Sequence, residues 1–248
     1  YVGSRQATGA ESAQFDKAMR KALRAISKAG RKGQDVSPAS VIPDLGDWAA
    51  TVDMSQGAYE IAKDFSDFSC ADWYTGGDGT DYYCREGFGA LLAHSARGVP
   101  VSLNTTARVV RWGGTGVEVD TDQGLITARA VIVTVSMGVL ASGAIRFDPA
   151  LPARHDDIFE GLSMGHYNHV ALRFDRNFMG VGTDGYMTMK VEADAGGVPQ
   201  GFVTLVDAGR TGISYCDLGG EFAHQMSDAG SKATKAFVID TLKATFGS

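Results

Sequence analysis

The sequence predicts an α/β or α+β fold, with a mixed β-sheet flanked by helices and a β-meander beside it. Three observations carry this expectation. Segments with apolar residues at helical spacing stand near both ends, at residues 11–29 and 231–246. Short runs rich in valine and isoleucine, separated by turn residues, fill 99–135. A second set of short apolar runs fills 168–217. With 248 residues, 44% of them hydrophobic and 21% charged, the chain has ample material for a core.

Residues 11–29 read as the first helix. Phe15, Met19, Ala22 and Ile26 share its apolar face, and Gly30 and Gly33 close it. Lys17, Arg20, Lys21, Arg24, Lys28, Arg31 and Lys32 decorate the other face. A basic amphipathic helix can lie on a membrane or bind a polyanion. Here the apolar stripe is modest and the cations gather toward the C-terminus, where the helix dipole favours them, so the reading is a solvated face on a core-packed helix. Ser37-Pro38 is an N-cap followed by proline at the first helical position. Further short helices are expected at 59–65 and from Ser69-Cys70-Ala71-Asp72, which begins like a capping box. Residues 75–87 are loop, and 88–97 form a helix ended by Gly98.

Strands are expected at 99–103, 107–112, 116–120, 125–128 and 130–135, with turns at Gly113-Gly114 and Asp122-Gln123-Gly124. The run 130–135 is too short for a buried helix and is dominated by valine and isoleucine. A tight exit at Ser136, a short helix and a second helix at 155–161 follow. Strands are then expected at 168–174, 186–191, 201–207 and 212–217, and a closing helix at 231–246 turns Ala233, Phe237, Val238, Leu242 and Phe246 inward.

Several function classes are disfavoured. The net charge of −6 lacks the concentrated positive field that a nucleic-acid partner requires. No apolar run approaches the ~18 residues of a membrane span. The chain begins at Tyr1 without a signal-peptide pattern and is expected to be a piece of a longer, soluble and cytoplasmic protein. Cys70, Cys84 and Cys216 sit at no metal-ligand spacing and read as reduced thiols. Gly76-Gly77-Asp78-Gly79-Thr80-Asp81 fits one unit of a calcium-binding β-roll, but no second copy follows, so a surface loop is expected. His166 and His169 lie three apart at a strand entry and would point to opposite faces, so no metal site is expected. There is no GxSxG elbow and no P-loop. Gly87-Phe88-Gly89 begins like GxGxxG but lacks the third glycine and the preceding strand.

One pattern is more specific. The strand 130–135 followed by Ser136-Met137-Gly138-Val139-Leu140, then Phe147-Asp148-Pro149-Ala150-Leu151-Pro152, resembles the flavin-containing amine oxidases, with the polyamine-oxidase branch nearest. Residues 85–92, 103–107 and 162–174 carry the same resemblance, which extends over nearly the whole chain. It implies a two-lobed flavoprotein with interleaved domains. In that scheme 1–84 is the first, helical part of the substrate domain. Residues 85–147 are a central segment of the FAD-binding domain, contributing a β-meander, and 148–248 are the second part of the substrate domain. The N-terminal GxGxxG unit and the C-terminal FAD-binding segment have no counterpart here, so this stretch alone is not expected to retain FAD.

By position, the resemblance implies FAD contacts at Gly87 and Gly89, at Ala107 through its backbone, and at Thr134, Val135 and Ser136 at a strand end near the flavin. It implies a substrate-lining role for Tyr167 and a catalytic position for His169. The family usually has lysine at the latter, holding a water beside the flavin; an imidazole can also hold one, but its charge changes near pH ~6.5. The implied reaction is oxidation of a small-molecule amine by hydride transfer to FAD, with dioxygen as final acceptor. Two alternatives stay open: a non-catalytic interaction domain on the same scaffold, and a flavin-dependent desaturase-type oxidoreductase. No feature of the sequence sets an oligomeric state.

Overall fold

The computed structural model describes every residue except Asp78, Asp81, Tyr83 and Ser248. The calcium-type motif, which needs Asp78 and Asp81, therefore lies outside the described residues. The chain divides into two compact units, Tyr1–Phe88 with Gly165–Ser248, and Gly89–Met164.

In the first unit, the helix Gly9–Gly30 begins at Thr8, whose hydroxyl accepts from the Glu11 N–H while the Glu11 carboxylate accepts from the Thr8 N–H. Its buried positions Ala18, Ala22, Ile26 and Ala29 recur at helical spacing and pack with Val52, Phe65 and Cys70. The basic side chains stand on the exposed face, as expected. Gly30 lies against the Cys70 carbonyl and the Tyr74 ring, an approach that any Cβ would block. The helix Cys70–Thr75 starts at Ser69, whose hydroxyl accepts from the Ala71 N–H.

The short helix expected at 59–65 is displaced. Helical backbone runs instead from Ala49–Asp53 through a wide π-type turn at Met54–Ala58 to Tyr59–Ile61. It stops at Ala62, whose φ is +62°. Tertiary bonds fix this end: Asp53 Oδ1 accepts from the Phe65 N–H at 2.8 Å, and the Ala62 carbonyl accepts from the His166 N–H at 2.9 Å.

In the unit Gly89–Met164, the meander forms as expected. Strands β1 (Ala107–Arg111), β2 (Val117–Thr121) and β3 (Gly124–Ala128) pair antiparallel, and β4 (Arg146–Asp148) joins β1 in parallel, giving the order β3-β2-β1-β4. Two expected strands are absent. Residues 99–103 and 130–135 carry no ladder pairing, and Ile132 is 87% exposed. Their composition favours strands, but a strand exists only with a neighbour, and no described residues pair with either run. The helices Phe88–Ser95, Met137–Ala141 and Arg154–Gly161 match expectation, and the Ser136 hydroxyl caps the second by accepting from the Val139 N–H at 3.4 Å.

The second half of the first unit is one antiparallel sheet of β5 (Tyr167–Arg173), β6 (Gly185–Thr188), β7 (Val203–Val206) and β8 (Ile213–Gly219), in the order β5-β8-β7-β6. All four strands fall where the alternation placed them. The helices Gly220–Ala229 and Ser231–Phe246 contribute Phe222, Ala223, Val238 and Leu242 to the core that buries Met187, Phe202, Val206, Cys216 and Leu218. The helix Gly220–Ala229 has no counterpart among the expected elements. Its first turn is capped from far away in sequence: Asp64 Oδ2 accepts from the Glu221 N–H at 3.0 Å. The result is α+β.

Candidate functional site

Alternation along β5 and β8 sorts their side chains between two faces. Val170 and Leu172 of β5, with Cys216 and Leu218 of β8, pack on the helical core. Tyr167 and His169 of β5, with Tyr215 and Asp217 of β8, take the opposite parity. His169 and Asp217 are direct partners across the ladder.

At that register point His169 Nδ1 meets Asp217 Oδ1 at 2.6 Å. The imidazole is 59% exposed while the carboxylate is only 7% exposed. The acid lies beneath, and the more exposed ring stands over it, bonded through Nδ1. Aromatic rings surround the pair. Tyr167 meets His169 edge-on at 5.1 Å between centroids, and Tyr215 does so at 5.9 Å. Tyr59, at the end of the π-type turn, stands 6.2 Å from Tyr167 and 6.1 Å from Tyr186 of β6. π-type turns recur where a helix must place a side chain at a functional site, and here the turn delivers Tyr59.

Electrostatics follow from this burial. Removal from water pushes the Asp217 carboxyl up, opposed by the bond to His169 and by the Tyr167 hydroxyl. Burial also pushes the Tyr167 phenol up, reinforced by the charge of Asp217. The same holds for Tyr59, where burial leads and Tyr186 adds. Both phenols therefore stay protonated. The groups whose charges act on Tyr59, Tyr167 and Asp217 are acids, other tyrosines and His169.

Of the residues singled out from sequence, the structure brings His169 and Tyr167 together. Gly87, with φ at +89°, belongs to the same unit as these two, and Gly89, Ala107, Thr134, Val135 and Ser136 belong to the unit Gly89–Met164. Ala107 sits at the start of β1, before the residues that pair with β4. Thr134, Val135 and Ser136 are exposed. A Cβ at Gly87 or Gly89 would meet open space. Sequence reasoning missed Asp217, Tyr59, Tyr186 and Tyr215. An acid inside the apolar stretch Cys216-Asp217-Leu218 was the one available signal. His166 does not join the site; it stacks on His224 at 4.2 Å, and among the described residues no group of three could hold a metal ion.

Comparison with known proteins decides the family. The match to "Flavin containing amine oxidoreductase" extends over residues 2–247. The chain belongs to that family. Polyamine oxidase 4 of Oryza sativa subsp. japonica is 27% identical over 74% of this chain and 37% of its own length. Protein FLOWERING LOCUS D of Arabidopsis thaliana is 35% identical over 41% of this chain and 13% of its own length. Among solved structures, a putrescine oxidase bound to putrescine aligns with all of this chain and 61% of that one, with a TM-score of 0.69 at 17% identity. The chain thus spans 37% or less of these two curated relatives and 61% of the putrescine oxidase. The structural likeness supports the fold, and the family implies a flavin cofactor. No helix among the described residues is long and apolar enough to cross a membrane.

One exposed segment offers the kind of surface a flavin would cover. Residues 131–135 present Val131, Ile132, Val133 and Val135 as an exposed apolar row, suited to being covered.

Proposed function

We propose that this chain is the amine-recognising part, with one FAD-contacting segment, of an FAD-dependent amine oxidase. The observation that carries the reading is the buried Asp217 under His169, set among Tyr59, Tyr167, Tyr186 and Tyr215 on one sheet face. Aromatic faces and a buried carboxylate attract an ammonium group, whereas a desaturase acting on an apolar chain would call for an uncharged, greasy surface. FAD, when bound, accepts the hydride from the carbon next to the amine nitrogen and passes the electrons to dioxygen. Ala107, Gly87, Gly89, Thr134, Val135 and Ser136 would hold that cofactor. Tyr167 would orient the amine, and His169 would face the reacting carbon and nitrogen.

We assign 1–84 and 148–248 to the substrate domain and 85–147 to the FAD-binding domain. The division into Tyr1–Phe88 with Gly165–Ser248 and Gly89–Met164 supports this assignment outside 148–164, which group with the second unit. The 248-residue stretch alone should not retain FAD. Anaerobic mixing of the flavin-loaded parent protein with primary amines and diamines is the direct test. Bleaching of the oxidised flavin band by an amine supports the reading, and an unchanged spectrum with every amine refutes it.

A further inference from the structure

We propose that His169 and Asp217 act as a proton-accepting pair that deprotonates the substrate ammonium. The proposal rests on the amine-oxidase reading and names what the pair does within it.

The argument is one of hydrogen-bond polarity. A lysine at this position can only donate. An imidazole whose Nδ1–H is given to a carboxylate presents its Nε2 lone pair outward, as an acceptor. The 2.6 Å contact between Nδ1 and Asp217 Oδ1 is the geometry this tautomer requires. Asp217 cannot swing away, because its side chain is buried and its backbone is held in the ladder on both sides, opposite His169 of β5 and Val203 of β7. The exposed ring reaches the open face. Tyr167 from β5 and Tyr215 from β8 meet the ring edge-on; Tyr59 from the π-type turn stands by Tyr167, Tyr186 from β6 stands by Tyr59, and Glu60 acts on Tyr167. None of these is a cation, so this surroundings suits an ammonium and does not oppose its approach.

The step balances without a further reactant. One N–H bond of the ammonium breaks, its proton bonds to Nε2, and the nitrogen keeps the electron pair. The amine becomes neutral, the form from which hydride can leave the neighbouring carbon. The imidazolium is stabilised by the Asp217 carboxylate beneath it. Asp217 is a positioning residue here, and His169 the group that takes the proton.

The same heavy-atom geometry would also arise if a protonated Asp217 donated to Nδ1, leaving a proton on Nε2. Histidine 15N NMR of the 248-residue chain separates the two. The proposal expects a protonated Nδ1 and a bare Nε2 near neutral pH; a protonated Nε2 with a bare Nδ1 overturns it. The second measurement is the pH profile of anaerobic flavin reduction in the parent protein. His169→Ala should be slower by ~100-fold near neutral pH and approach wild type near pH ~10, where a simple amine loses its proton unaided. A parallel loss at every pH would mark a merely structural role and overturn the pair. If no amine bleaches the wild-type flavin, the amine-oxidase reading itself falls, an outcome distinct from bleaching with an unaltered profile in His169→Ala.

Discussion

Asp53 offers a test of how burial governs this protein's stability. It closes the helix Ala49–Asp53, and its carboxylate ties down the turn that receives the entry to β5. Burial pushes its carboxyl from an ordinary 3.8 up to about 7; the Phe65 N–H opposes the shift and nearby Asp64 adds to it. The folded state then holds the proton more tightly than the unfolded chain. Between pH ~4 and ~7 it binds more protons, so stability falls as pH rises through that window. Below the window both states are protonated and the penalty is absent; above it both are ionised and the penalty is complete. At ~1.4 kcal/mol per pH unit the ceiling is ~4 kcal/mol. The side chain is only partly enclosed, so solvent screens some of this and we expect ~2 kcal/mol. Asp53→Asn keeps an oxygen for the Phe65 N–H and removes the titration. Urea denaturation of both proteins across pH ~4 to ~8 measures it, since contributions from other acids such as Asp217 cancel in the difference. Asp53→Asn should gain on wild type by ~2 kcal/mol from the acid end to the alkaline end. A difference that stays flat across the range refutes the reasoning.

Other expectations follow from packing. Phe202 is fully buried in the core beneath the two C-terminal helices, and Phe202→Ala should cost ~3–5 kcal/mol in chemical denaturation. Gly219 has its Cα against the Ala58 carbonyl, a backbone atom that cannot yield; Gly219→Ala should cost ~3 kcal/mol, visible as a lowered Tm. Between residues 89 and 164, Val110 is the one buried apolar side chain among those described. Hydrogen exchange should therefore be faster at β1–β4 than at β7 and β8, and equal protection in the two sheets would contradict this.

The resemblance that named the family was carried by short local patterns, such as Ser136-Met137-Gly138 and His166 to Phe174, which survive in the structure as a capped helix and strand β5. Strand β5 puts Tyr167 and His169 on one face, because the period of two is a property of the backbone. The same local reasoning failed at 130–135 and 99–103. Valine and isoleucine report a preference for strands, and whether a strand forms depends on a neighbour that local sequence does not specify. The helix Gly220–Ala229, absent from the expected elements, is capped by Asp64, 157 residues away from Glu221. What the sequence determined by itself was therefore whatever rests on contacts within a turn or two: the two long helices, the meander, the four strands of the second sheet and the position of His169. Only the tertiary structure decided that Asp217, 48 residues further on, lies beneath that imidazole, that Tyr215 meets it edge-on, and that Tyr59 stands between Tyr167 and Tyr186. Cross-strand register is set by which faces must be buried together, and that is a property of the whole core rather than of any one segment.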